Sequence, residues 1–307
     1  MEKTLLKPCW NYKIFVNPAP SYMNPKLLPA LITGALFIIS CSKEESFEKR
    51  KSDNNNAPLL TKVISQSTDV SYSAVTTFGY DSEKKLVNVK NVFDGNVNEP
   101  YVEQESRYYR TGKGLIERLV DIWDIFDENG VFQSSDSIVL SLHSTSGGQY
   151  THGIRTLLHS PNDWTRDSIV YSYNDKGRMV LVNIFRMDSN TNVYRGEQTT
   201  MYTHDGKGNI ATMTIKFSAN GQDPPQVISF QYNDKLSPMN FGEEALLTGF
   251  AMEGLNSPYC LSGVSDPSEP DASWEMSYDY NDFNKPARGV YSNTVTQEKI
   301  SLTYFYQ

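Results

Sequence analysis

The sequence predicts an all-β fold: a large antiparallel meander of repeated β-hairpins, curled or closed into a barrel-like shape. Its 307 residues include 19 Tyr and 14 Phe, and this aromatic-rich composition favours strands. Several segments alternate apolar with polar side chains, as in Ile300, Leu302 and Tyr304 against Ser301 and Thr303. Such alternation predicts antiparallel strands with one wetted face.

A short motif recurs along the chain, and its clearest copy is Tyr173-Asn-Asp-Lys-Gly-Arg178. Related copies place an aromatic residue or Thr at positions 80, 109, 203, 232 and 280. Asn, Asp and Gly tolerate positive φ and bond back to their own backbone, so each copy predicts a hairpin turn. The spacing is close to 30 residues or a multiple of it, with a degenerate copy expected near residues 137–143. The wider gap before position 280 predicts an insertion over residues 242–271, and about 12–14 strands fit the repeat.

The N-terminal region combines an apolar run with a single cysteine. Residues 27–39 are apolar, follow Lys26 and lead into Ile38-Ile39-Ser40-Cys41. The run is shorter than the roughly 20 apolar residues of a membrane-spanning helix but matches a signal-peptide core. Cleavage before Cys41 would leave a cysteine able to carry membrane-anchoring acyl chains. We therefore predict a signal region over residues 1–40, with Met23 as the hypothetical true start.

Behind this region the composition predicts a tether and one acidic domain. Residues 41–59 are rich in charge and Asn, which predicts a flexible tether before a β domain over residues 60–307. Residues 1–40 hold four of the 28 basic and one of the 36 acidic side chains, so the rest carries a formal charge of −11. An acidic domain is not expected to bind nucleic acid. After Cys41 the only cysteine is Cys260, so no intramolecular disulfide can form within the domain, and we expect Cys260 to be buried in the core.

The sequence contains no recognisable catalytic or metal-binding motif. The four histidines lack the paired spacing of zinc ligands, and the acidic turns lack the closing Glu of an EF-hand. There is also no Gly-x-Ser-x-Gly nucleophile elbow. We therefore predict a protein that is not an enzyme, with no catalytic residue, cofactor or bound metal.

One segment is a candidate ligand-binding site. Trp164 is predicted to lie in a loop beside Asn162, Asp163 and Arg166. An aromatic ring next to amide, carboxylate and guanidinium groups suits sugar binding, and loops on rigid scaffolds often carry binding residues. The alternative is that Trp164 anchors the loop by packing on the sheet.

Three resemblances add to these expectations. Cys41-Ser-Lys43-Glu44-Glu45 resembles the signals of Bacteroidota-type outer-membrane lipoproteins, in which Lys and two acidic residues after the lipidated cysteine mark export to the cell surface. The motif at residues 173–178 resembles a YD repeat of the Rhs type. The arrangement over residues 60–307 is similar to uncharacterised Bacteroidota lipoproteins with a domain of unknown function described as porin-like. These resemblances imply an outer-membrane location, facing the cell surface or alternatively the periplasm, and carry over no catalytic residue.

Three functions are open at this point. The first is a non-enzymatic lipoprotein, held in the membrane through acylated Cys41, that binds a glycan, peptide or protein. The second is a membrane-spanning outer-membrane β-barrel, which alternating strands also fit. The third is an envelope hydrolase with scattered catalytic residues.

Overall fold

In the computed structural model, sixteen antiparallel strands follow one another in sequence order and close into a barrel. The structure describes residues 58–67, 73–94, 101–127, 129–160, 163–218, 224–240, 244, 246–247 and 257–307. Several predicted positions lie outside these ranges, namely Met23, Ile38, Ile39, Ser40, Cys41, Lys43, Glu44, Glu45 and Asn162. Among the described residues, no helix is long and apolar enough to cross a membrane.

The elements have the following bounds: β1 (Leu60–Ser67), β2 (Ser73–Tyr80), β3 (Leu86–Asp94), β4 (Tyr101–Arg110), β5 (Ile116–Phe126), β6 (Phe132–Ser144), β7 (Tyr150–Ser160), β8 (Asp163–Tyr173), β9 (Met179–Asp188), β10 (Val193–His204), β11 (Ile210–Phe217), β12 (Gln226–Leu236), β13 (Tyr259–Ser265), β14 (Trp274–Tyr280), β15 (Pro286–Asn293) and β16 (Lys299–Tyr306). A short 3₁₀ helix, Pro270–Ala272, precedes β14.

The barrel closes where β1 pairs antiparallel with β16. Leu59 and Gln307 exchange two backbone hydrogen bonds there, of 2.9 and 3.0 Å. We call this end of the barrel the terminal end, and the opposite end, which contains the β3–β4, β5–β6 and β7–β8 connections, the far end. The predicted antiparallel meander with a barrel-like shape is confirmed. The strand number exceeds the predicted range because β1 and β16 are not joined to any strand by a copy of the motif.

The recurring motif forms the hairpin turns of the terminal end. In the five-residue turns that begin with Asp or Asn, the first side chain accepts hydrogen bonds from the backbone N–H groups of the third and fifth residues, as Asn174 does from Lys176 and Arg178 at 3.0 Å. The fourth residue has positive φ, which is 74° at Gly177 and 96° at Gly208. The same side-chain bonding occurs in the turns that begin at Asp81, Asp205 and Asn281. The turn acids are therefore engaged by their own backbone.

Three details of the predicted repeat need correction. Arg110 and His204, rather than the residues one position earlier, directly precede their turns, so these two copies align one residue later than predicted. The degenerate copy forms its turn at Thr145, whose N–H donates to the Gln149 carbonyl at 2.8 Å. At the copy near position 232, β12 continues to Leu236, and the next strand begins only at residue 259.

The core fills the interior of the barrel, because one face of every strand points inward. The inward residues alternate with outward ones and form one continuous apolar cluster that includes Leu86, Leu140, Ile169, Val182, Ile215 and Leu302. Cys260 is buried, as predicted, and burial raises the pKa of its thiol to about 11.

The connection between β12 and β13 covers the interior at the terminal end. Glu244 accepts two hydrogen bonds from the Arg110 guanidinium, both 3.0 Å, and one from the Tyr150 hydroxyl at 2.9 Å. The Tyr171 hydroxyl donates to the Leu247 carbonyl at 2.6 Å. Three apolar side chains of the connection join the core: Met239, Leu246 and Leu247. The domain boundaries and the insertion over residues 242–271 stay predictions.

Candidate functional site

Toward the far end, a layer of polar side chains interrupts the apolar interior, and beyond it Ala74, Phe93 and Val102 form a second, smaller apolar cluster. Inward positions that would hold aliphatic residues in a simple core carry amides, hydroxyls and charged groups instead. The buried members are Thr76, Asn91, Gln104, Ser106, Arg155, Asp167, Gln198 and Thr200. Buried polar groups are costly unless they are paired, so the partners of each one decide whether the layer is structural or free to bind.

A charged network forms the centre of this polar layer. Asp167 on β8 faces Arg155 on β7, whose Nε donates to its Oδ2 at 2.9 Å, and the two side chains are 0% and 2% exposed. Arg186 Nε donates to the other carboxylate oxygen at 3.1 Å, and Arg186 Nη1 lies 3.1 Å from Glu197 Oε1. Burial lowers the pKa of Arg155, and the Asp167 carboxylate opposes that effect. The network balances two positive with two negative charges, so we assign it a structural role.

Three inward oxygens on β4 and β5 have no hydrogen-bond partner among the described residues: Gln104 Oε1, Ser106 Oγ and Asp121 Oδ1. Asp121 on β5 lies opposite Ser106 on β4. Burial raises the pKa of Asp121 to about 6, while the neighbouring Ser106 hydroxyl acts in the opposite direction. A carboxyl with such a pKa changes charge near neutral pH, which makes it a group to test by pH.

An exposed apolar surface lies on the outside of the same end. The hairpins β5–β6, β7–β8 and β9–β10 each carry outward apolar or aromatic side chains near their tips. We call this surface the rim patch and define it as Phe126, Phe132, Leu158, Trp164, Met187 and Tyr194. Within it, the Phe126 and Phe132 rings meet edge to face at 5.9 Å, and Phe126 also stacks on Tyr101 at 4.8 Å. Exposed apolar surface that is clustered, rather than scattered, is typical of interaction sites.

Of the predicted ligand residues, Trp164 belongs to the rim patch and Arg166 lies beside it. Trp164 is 47% exposed and stands opposite Leu158, but it lies in β8 rather than in a loop. The loop prediction was wrong because strand pairing continues to Ser160 and Asp163, which leaves a connection of two residues. Arg166 points outward two positions further along β8, opposite Thr156.

The sequence analysis missed the other members of the rim patch. Met187 and Tyr194 face each other across β9 and β10, and Phe132 is 53% exposed next to the β5–β6 turn. An aromatic residue within two or three positions of a hairpin turn was the available signal. It could not be used without knowing which strand face points outward.

The outward face of the barrel carries charged side chains on many strands, and β5–β8 also place apolar residues such as Val120, Val139 and Val170 on it. Mid-strand ion pairs lie on it, such as Lys90 with Glu103 at 2.7 Å and Arg107 with Glu105 at 2.6 Å. Lys62 extends over the Phe305 ring at 4.2 Å on the same face. Further outward charges are Arg118, Arg166, Lys216, Glu275, Asp279, Arg288 and Lys299. A lipid-facing barrel needs an outward apolar band about 25 Å tall, and these charged side chains interrupt such a band.

Together these features define a closed, sixteen-stranded antiparallel β-barrel with a packed interior and an apolar rim patch. The fold is similar to that of a porin-like protein from Bacteroides uniformis ATCC 8492, with 11% identity, a TM-score of 0.50, and coverage of 81% of this chain and 98% of that chain. A porin-like protein from Bacteroides vulgatus ATCC 8482 gives 14% identity, a TM-score of 0.47, and coverage of 82% and 99%. No protein-family model and no curated protein matches the chain. At these identities the likeness concerns the fold alone.

Proposed function

We propose that this chain is a non-enzymatic, lipid-anchored barrel of the outer membrane that stands beside the hydrocarbon layer rather than crossing it. The observation that carries the proposal is the charged outward face around an apolar interior. An outward Lys or Arg at the bilayer midplane costs about 2–4 kcal/mol, and this face holds many such groups. Acyl chains on Cys41, added when the apolar run before it is cleaved, supply the anchor, and the Lys43-Glu44-Glu45 segment favours export to the cell surface.

The rim patch supports a binding role for the far end. The predicted tether joins the barrel at the terminal end, so an extended tether would leave the far end directed away from the membrane. Trp, Tyr and Arg are the residues that most often dominate binding interfaces; Trp164 and Arg166 lie on the outer face of β8, and Tyr194 lies on that of β10. We propose a glycan, peptide or protein as the partner, with Trp164 as the central contact.

A membrane-spanning barrel is the second candidate. The likeness in fold to a porin-like protein from Bacteroides supports it, and both candidates share an outer-membrane location. The two differ in what holds the protein in the membrane, which is either the acyl chains on Cys41 or the strands themselves. An envelope hydrolase is the third candidate, and turnover of glycosidic or ester substrates by the purified protein would support it.

Exchange of the signal region separates the first two candidates. Residues 1–41 are replaced by a secretory signal that ordinary signal peptidase removes, so residues 42–307 reach the envelope without a lipid. A tethered barrel is then expected in the soluble fraction without detergent, whereas a spanning barrel stays in the membrane fraction. The control is Cys260→Ser with the original signal, which leaves lipidation possible and should remain with the membrane.

Binding through the rim patch is tested with Trp164→Ala on glycan arrays and in pull-down assays. Loss of the captured glycan or partner is expected, because the exposed indole is the largest apolar surface of the patch. The matched control is Phe283→Ala, since Phe283 is 69% exposed but lies in a turn of the terminal end. Equal binding by the wild type and Trp164→Ala would remove Trp164 from the proposal.

A further inference from the structure

Two histidines that are nine positions apart in the sequence meet on the outer face of the barrel. His143 on β6 and His152 on β7 are direct cross-strand partners. Their rings stack with centroids 4.4 Å apart and planes inclined by 14°. Both side chains are exposed, and the backbone register of β6 and β7 holds them side by side. Neighbouring pairs on opposed strands have Cβ atoms about 4.5–5.5 Å apart, so this proximity is built into the sheet.

A threonine next to the pair orients one of the rings. The Thr151 hydroxyl donates to the His143 carbonyl at 3.2 Å, which uses its only proton. Its oxygen lies 3.0 Å from His152 Nδ1, so it accepts a hydrogen bond from a protonated Nδ1. The neutral His152 ring then carries its lone pair on Nε2. A polar group that holds the second ring nitrogen is the usual support of a metal-ligating histidine.

We propose that His143 and His152 form a surface site for a divalent transition-metal ion, with Cu²⁺ bound most tightly and Ni²⁺ and Zn²⁺ more weakly. Neutral imidazole suits these ions, and affinities for nitrogen ligands rise to a maximum at Cu²⁺ in the first transition row. Exposed rings can turn about their side-chain bonds to bring both lone pairs to the roughly 2.0–2.1 Å that such ions require.

The site provides two protein ligands, and water would complete the coordination. No group of three or more His, Cys, Asp or Glu side chains gathers around a possible metal position in the ranges that the structure describes. A two-ligand site binds an exchangeable ion and does not stabilise the fold as a closed four-ligand site would. It lies on β6 and β7 toward the terminal end, so it is separate from the rim patch and does not depend on the proposed binding function.

The histidine that precedes the Asp205 turn provides a contrast within the same protein. His204 is partly buried, and burial, with Arg178 acting in the same direction, lowers the pKa of its imidazole to about 4. Its Nδ1 is buried and has no hydrogen-bond partner among the described residues. His204 therefore lacks both the exposure and the neighbouring imidazole that the proposed site needs.

The test is a Cu²⁺ titration of the purified full-length protein by calorimetry, with electron paramagnetic resonance spectra of the bound ion. We expect one ion per chain at this site and nitrogen splitting from two imidazoles. His143→Ala or His152→Ala should each weaken binding by more than about tenfold and reduce the nitrogen splitting, and Thr151→Val should weaken binding by about tenfold. His204→Asn is the matched control and should leave both measurements unchanged.

Circular dichroism of each variant confirms that the barrel is intact, which is expected because both rings are exposed. Wild-type affinity and an unchanged spectrum in both His143→Ala and His152→Ala would overturn the proposal. Loss of copper binding in His204→Asn with retention in those two variants would overturn it as well.

Discussion

The two ends of the barrel interior are built from different chemistry. At the terminal end, aliphatic and aromatic side chains pack around one buried ion pair, that of Arg110 with Glu244. Toward the far end, amides, hydroxyls and charged groups point inward around Asp167. Apolar packing is non-directional, whereas a buried polar layer is stable only when each group keeps a specific partner. The far end should therefore be more sensitive to single polar substitutions than the terminal end.

The largest expected effect comes from Asp167→Ala. This change leaves the guanidinium of Arg155, which is 2% exposed, without its carboxylate partner and also removes a partner of Arg186. Loss of one member of a buried pair costs about 3–5 kcal/mol in the free energy of unfolding, measured here by urea denaturation. The matched control is Glu83→Gln, which removes an exposed partner of Lys85 and should cost less than about 1 kcal/mol. Equal losses in the two variants would contradict the structural role of the network.

The pH dependence of stability should contain two opposing contributions. Burial raises the pKa of Asp121 to about 6, so the folded protein keeps a proton that the unfolded chain releases above about pH 4. This contribution lowers stability as the pH rises from about 4 to 6. Burial lowers the pKa of His204 to about 4, so the unfolded chain binds a proton that the folded protein does not. That contribution raises stability as the pH rises from about 4 to 6.5.

Single substitutions should separate these contributions. Asp121→Asn removes the contribution that lowers stability as the pH rises. The free energy of unfolding of this variant should therefore increase more steeply from pH 4 to 6 than that of the wild type. His204→Asn removes the contribution that raises stability with pH. The free energy of unfolding of this variant should therefore increase less steeply with pH than that of the wild type, or decrease. Each substitution should alter the pH-dependent change in the free energy of unfolding by roughly 3 kcal/mol, measured by urea denaturation at a series of pH values. If plots of stability against pH were parallel for the wild type and the two variants, the assignment of these contributions to Asp121 and His204 would be wrong.

At the terminal end, Glu244→Gln should have an intermediate effect. The amide still offers an oxygen to Tyr150 but loses the charge that pairs with Arg110. Hydrogen bonds to charged groups contribute about 1.5–3 kcal/mol, and we expect a loss in that range by urea denaturation. Glu105→Gln is the control, because its partner Arg107 lies on the outer surface. A loss no larger than that of Glu105→Gln would mean that the Arg110–Glu244 pair does not hold the connection to the barrel.

The sequence was sufficient for the fold but not for the orientation of its faces. Alternation along β11 separates Met213 and Ile215 from Thr214 and Lys216, yet either set could face the interior. Only closure of the barrel shows that Lys216 points outward and that the apolar set is enclosed. The hairpin turns were predictable because each needs local Asn, Asp or Gly chemistry, whereas the closing β1–β16 pair depends on contacts between distant residues.

The candidate site was less predictable than the fold because it depends on contacts between residues that are distant in the sequence. Trp164 was identified as a single exposed aromatic residue, but its partner Leu158 and the neighbouring Tyr194 lie on other strands. The contact of His143 with His152 likewise requires the exact register of β6 and β7. Local sequence patterns define strands and turns, while a surface site made by several hairpins appears only when the register is known.

The smallest expected effect on stability is that of Trp164→Ala, and it decides between the two interpretations of this residue. The indole is 47% exposed on the outer face of β8, whereas Ile169 on the same strand is buried in the core. If Trp164 serves binding, its removal should cost less than about 1 kcal/mol, in contrast to about 2–5 kcal/mol for Ile169→Ala. Urea denaturation of the two variants measures both values under the same conditions. A loss for Trp164→Ala that approaches the loss for Ile169→Ala would identify the indole as a packing anchor. A small loss together with abolished partner capture would instead mean that the far end exposes this aromatic surface for recognition.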